Sequence, residues 1–251
     1  MANNYDPRLA PGPARGPGGA GLRAAAYDAG LRSYMLSVYN YMLSGVLLSG
    51  MVALGMVYTG AVSALFNPAT GAPTILAWIV MLAPLGLVFL LGMRIQSMSE
   101  GAAQATFFGF AVLMGMSLST IFLRYTGASI ASTFFATAAG FAALSLYGYT
   151  TRRDLSGMGS FLMMGVVGIL VAMLINLFLK SGTLQLVISI LGVLIFAGLT
   201  AHDTQKIRNM YDYVAGTDMV GKSAIMGALT LYLDFINLFT FLLSLLGNQR
   251  N

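Results

Sequence analysis

Two aspartates occupy places where a carboxylate is costly. Asp234 lies inside LTLYLDFINLFTFLLSLLG (Leu229 to Gly247), an otherwise apolar stretch long enough to cross a bilayer, and Asp203 closes the preceding apolar segment in GLTAHDTQKI (Gly198 to Ile207). A charged group in hydrocarbon is expensive, so an ionisable residue there is a functional-site candidate by default. If the two acids meet across neighbouring helices, they cannot both ionise cheaply. They then share a proton and titrate as a coupled pair, which is the chemistry of a pH sensor. Asn237, three residues beyond Asp234, shares its helix face and extends a polar stripe, while Tyr232 lies on another face.

Other side chains near the pair are candidates for support. Arg94 ends an apolar segment on the same side as Asp203 and is followed by Gln96 and Glu100. Its guanidinium is either a latch on Asp203, through a charge-assisted bond, or a simple interfacial anchor. His202 is the single histidine and reads as an interfacial hydrogen-bonding residue rather than a metal ligand. No residue set has zinc spacing, so no tightly bound metal and no cofactor is expected. Calcium asks for about 6 to 8 oxygens in flexible geometry. The two carboxylates, Asn237, backbone carbonyls and water would supply part of that set, which suits transient passage near Asp203 and Asp234.

Enzyme classes find little to stand on. The chain has no cysteine and shows no Ser-His pairing, phosphate loop or dinucleotide fingerprint. Paired intramembrane aspartates also occur in aspartyl proteases of the presenilin type. Those carry the second acid in a Gly-x-Gly-Asp turn, and Leu-Tyr-Leu-Asp stands here instead. An intramembrane protease is therefore the distant third reading, and the chain is expected not to be an enzyme.

The elements that must position these residues follow from composition. Of 251 residues, 57% are hydrophobic and 8% charged, against about 25% charged in a soluble domain. An all-α integral membrane protein follows, with the lipid bilayer as its surroundings. Apolar runs near residues 38–60, 75–93, 103–123, 130–150, 159–179, 184–202 and 223–246 give seven spans, each close to the ~20 residues a crossing needs. Seven spans put the N-terminus and the loops after spans two, four and six on one side, with Arg8, Arg15, Arg23, Arg32, Arg94, Arg152, Arg153, Lys206, Arg208 and Lys222. Only Arg124, Lys180 and Arg250 fall on the other. That bias predicts a cytoplasmic N-terminus and an outside C-terminus. The net charge of +5 is spread through loops rather than clustered with aromatics, so nucleic acid is not an expected partner.

Residues 1–35, rich in proline, glycine and arginine without an apolar run, are expected to be a disordered cytosolic tail, and residues 36–251 the transmembrane domain. Two stripes of small residues, Ala111/Gly115/Ser119 and Gly168/Ala172/Asn176, are expected to let helices approach closely. No motif encodes an oligomeric state or a function for the tail.

Four segments carry a family resemblance: AHDTQKIRNMY (Ala201 to Tyr211), GALTLYLDFINLF (Gly227 to Phe239), SLYGYTTRRDLSGMGSFL (Ser145 to Leu162) and GMSLSTIFLRYTGASI (Gly115 to Ile130). Together they closely resemble the bacterial branch of the Bax-inhibitor, or transmembrane Bax inhibitor motif, family, over essentially all of the chain after residue 35. The resemblance implies a seven-helix bundle with helix seven central. It also implies a pH-sensitive calcium leak channel or ion transporter of the bacterial inner membrane, with Asp203 and Asp234 as di-aspartyl sensor and Arg94, by region, as latch. Another branch of the family implies a different role, as partner or modulator of a membrane protease. Two departures stand out. The stretch between the aspartates is longer than in shorter members, and His202 stands where a tyrosine or phenylalanine often precedes the first aspartate.

Overall fold

The computed structural model describes residues 18–250, with side chains from residue 25 onward. Eight α-helices follow one another: α1 (Gly18–Tyr58), α2 (Ile75–Arg94), α3 (Glu100–Leu118), α4 (Ile121–Arg124), α5 (Gly127–Thr150), α6 (Ser156–Leu179), α7 (Gly182–Val214) and α8 (Val220–Leu246), with a 3-10 turn at Ala61–Leu65 between α1 and α2. Among the described residues seven helical segments are long and apolar enough to span a membrane, α3 and α4 counting as one. In hydrocarbon every backbone group must be satisfied internally, which a helix achieves within one segment. Helix starts are finished by side chains: Thr74, Ser99, Thr126 and Ser181 each accept from a first-turn backbone N–H of α2, α3, α5 and α7. Where α3 breaks before α4, Ser119 and Thr120 donate their hydroxyls back to the carbonyls of Met116 and Ser117.

The structure departs from three expectations of the sequence. Helix α1 begins at Gly18 rather than near residue 36, and Tyr34 and Met35 are already core residues. The alanine-rich stretch after Arg23 favours helix, so the helix precedes the apolar span. Residues 1–17 of the expected tail lie outside the described residues. Helix α7 runs past His202 to Val214, and Thr204, Gln205, Ile207 and Tyr211 are buried by neighbouring elements along the way. The two small-residue stripes also part company. Gly115 packs so tightly on α1 that a Cβ there would lie 2.6 Å from the Ser49 carbonyl oxygen, whereas Gly168 has open space around it. Spacing shows that residues share a face, not which way that face turns.

Helix α8, the seventh span, is the most enclosed element: 56% of its most apolar stretch is buried, against at most 39% in any other span. It packs on α1, α3, α5 and α7, while α2 leans mainly on α3 and α6 on α7. Tyr232 pins it from one side. Its ring meets Phe107 and Phe110 edge-on, and its hydroxyl lies 2.6 Å from Ser49 Oγ, which donates to the Ala111 carbonyl. Another side of α8 faces α7 and carries Asp234.

Candidate functional site

The long α7 brings Asp203 into the bundle three turns before the helix ends, beside Asp234 on α8. Asp234 is 4% exposed, and its Oδ2 is the buried side-chain oxygen without a hydrogen-bond donor among the described residues. The carboxyl of Asp203 neighbours that of Asp234. Two carboxylate oxygens facing each other are two acceptors, so neither satisfies the other until one proton sits between them. A buried polar atom left unpaired costs about 1–3 kcal/mol.

Residues on the other side of Asp203 hold it there. Thr204 donates to the Thr200 carbonyl at 2.7 Å and pairs with Ser145 on α5 at 2.9 Å, and Ser145 in turn pairs with Tyr39 on α1 at 2.6 Å. Gln205 clamps the α5–α6 connection: its amide donates to the Arg153 carbonyl, and its oxygen accepts from the Leu155 N–H, both at 2.8 Å. The Asp-Thr-Gln run is thus one acid followed by two residues that fix α7 against α1, α5 and the loop.

His202 supplies the other contact to Asp203, with Nδ1 2.7 Å from Oδ1. An ionised Asp203 accepts from the protonated Nδ1. The ring fits only because Gly159 on α6 has no side chain, since a Cβ there would lie 2.5 Å from His202 Nε2. Asp154, in the connection before α6, accepts from the Ser156 N–H at 2.9 Å. The hydrogen bonds from Ser156, with the nearby His202, hold its carboxyl below the ordinary aspartate range.

The remaining candidates lie elsewhere. Arg94 is exposed at the end of α2, a helix that leans on α3, and it forms no ion pair with Asp203. Among the described residues the side chain within 4 Å of Asp203 that can pair with its charge is His202, neither Arg94 nor Lys206. Glu100 packs on Gly221 in the first turn of α8, about 20 Å along that helix from Asp234, where a negative charge complements the helix dipole. Asn237 sits one turn from Asp234 and donates to the Leu233 carbonyl at 2.8 Å. No group of three or more potential metal ligands occurs among the described residues.

Two cavities lie along α7, ending on either side of Leu199 and Phe196. One, of about 660 Å³, lies between α6 and α7 at the end carrying the α5–α6 and α7–α8 connections, and is lined by Ser160, His202, Asp203, Lys206 and Asn209. The other, of about 570 Å³, is lined by Arg124, Gln185, Asn237, Thr240 and Ser244. Leu199 lines the first and Phe196 the second, so about one helical turn of α7 separates them. Leu162 and Ile169 of α6 are buried in the same core. Both acids and Asn237 stand out in the sequence. Gly159, Gln205 and the apolar partition do not, because each acquires its role only through a distant partner.

Residues 31–251 match the family described as inhibitor of apoptosis-promoting Bax1. An uncharacterised protein of Rickettsia prowazekii is 50% identical over 231 residues, covering 90% of this chain and 93% of its own. The inner membrane protein YbhL of Escherichia coli K12 is 47% identical over 224 residues, covering 88% and 94%. An uncharacterised protein of Caulobacter vibrioides is 45% identical over 229 residues, covering 89% and 91%. With seven apolar helices and this extent of similarity, the chain belongs to the Bax-inhibitor family of membrane proteins.

Proposed function

We propose that the chain is a pH-sensitive cation leak of the bacterial inner membrane, passing calcium along α7, between a cavity it shares with α6 and one it shares with α6 and α8, with the Asp203–Asp234 pair as its gate. The observation that carries this reading is the pair of cavities that end about one turn apart on α7, one of them lined by Asp203, together with the buried Asp234 oxygen that has no donor. While one proton is shared, the carboxyls hold α7 and α8 together. Its loss leaves two like charges in a medium of low dielectric, where repulsion is strong. The helices part, and the cavities join. Because Arg94 does not engage Asp203, acid does not open the path by freeing that latch, and flux rises with pH.

The direct test is purified protein in liposomes loaded with a calcium-sensitive dye. Calcium entry that grows as the pH is raised supports the gate, and entry indifferent to pH removes it. The absence of any flux, together with copurification of a membrane protease, would favour a role in membrane-protein quality control instead. The basic bias of the loops supports a cytosolic N-terminus. Alkaline phosphatase fused after Arg250 is expected to be active, and an inactive fusion beside a fluorescent cytosolic reporter would reverse the topology.

A further inference from the structure

A second site lies away from the acid pair, between α1 and α5. Helix α1 packs on α3, α7 and α8, and α5 packs on α7 and α8. A cleft of about 660 Å³ is left between α1 and α5, floored by α8 at Phe235. Its inner wall is buried and apolar, with Met35, Met42 and Phe141, while its lips, Leu36, Leu43 and Leu146, are exposed to the bilayer. The hydroxyl of Tyr39, midway along, is already paired with Ser145. The deep part of the cleft therefore asks for hydrocarbon.

Charge appears only at one end. Asp28 and Arg32 both line the cleft there, one helical turn apart on α1, with Tyr149 across from them near the end of α5. The two charged residues form no ion pair with each other or with another described residue. From Arg32 to Leu43 the cleft follows α1 for about 16 Å, which matches the ~15 Å half-thickness of a bilayer's hydrocarbon core. An apolar slot one leaflet deep, topped by one cation and one anion, has the pattern of a zwitterionic lipid.

We propose that this cleft binds one aminophospholipid, its acyl chain along Met35, Met42 and Phe141, its phosphate on Arg32 and its ammonium on Asp28. Guanidinium–phosphate contacts are charge-assisted and geometrically selective. The Asp28 carboxylate attracts the ammonium and repels a headgroup that carries only negative charge. The site does not depend on the cation-leak reading, since no residue of the acid pair takes part.

Protein extracted from membranes in mild detergent, examined by native mass spectrometry with analysis of the retained lipid, tests the assignment. One phosphatidylethanolamine per chain is expected, enriched over its share of the source membrane. Ala142→Trp, which fills the cleft from an exposed position, and Arg32→Gln should each lower that occupancy by at least about tenfold. Asp28→Asn should keep a lipid but lose the preference for the amine headgroup over phosphatidylglycerol. Arg32→Gln changes an exposed side chain, so it reports even where tryptophan disturbs folding. Retained lipid that mirrors the bulk membrane overturns the proposal. So does occupancy unchanged by Arg32→Gln, or a copurified membrane protein that Ala142→Trp displaces.

Discussion

Asp203→Asn is expected to hold the calcium path shut and to erase its pH dependence. An amide at this position is expected to donate to the neighbouring Asp234 carboxyl, whose buried Oδ2 otherwise has no donor. The substitution removes the second charge whose appearance would separate α7 from α8. Flux measured over a pH series should stay at the level of the most acid wild-type sample. The same bond replaces an unsatisfied contact that costs about 1–3 kcal/mol, so thermal unfolding in detergent should shift upward at alkaline pH, where the wild-type pair has lost its proton. Asp234→Asn should behave alike, because the pair and not either acid is the titrating unit. A variant that kept a wild-type pH profile would remove the carboxyl pair from the gate while leaving calcium conduction itself open to test.

Phe196→Ala is expected to do the reverse. Phe196 is 8% exposed, stacks on Phe241 with ring centroids 5.8 Å apart, and lines the cavity that stops one turn short of Leu199. Removing the ring thins the partition between the cavities, leaving Leu199 and Leu162 on its other side. Buried Phe→Ala changes typically cost about 3–5 kcal/mol. A comparable loss is expected in reversible unfolding, together with calcium entry that persists at acid pH. The double variant with Asp203→Asn separates barrier from gate. Leak restored in that background puts the apolar partition in the path, and a double variant that stays shut would exclude Phe196 from it.

Asp234 and Phe196 differ in how visible they are along the chain. Asp234 announces itself because an acid in an apolar run violates hydrophobic patterning, and the following Asn237 keeps its helix face. Phe196 does not, since one phenylalanine among many in an apolar segment has no distinguishing neighbour in sequence. Arg94 shows the limit from the other direction. Its place at the end of an apolar run is plain, but its reach depends on which helix α2 leans against, and that helix is α3. His202, adjacent to Asp203 in the chain, takes the contact instead.

By itself the sequence determined the material and the grain of this protein: seven apolar spans, a bias of basic loops, and two acids too costly to be incidental. Hydropathy and charge are local properties, and a bilayer turns them directly into crossings. Only the tertiary structure decided that α7 runs on past Asp203, that Gly159 leaves room for His202, and that two cavities end one turn apart on α7 while a third opens between α1 and α5. Each of those depends on the direction a helix face turns and on how closely two backbones approach. Those quantities arise from the packing of all the helices together.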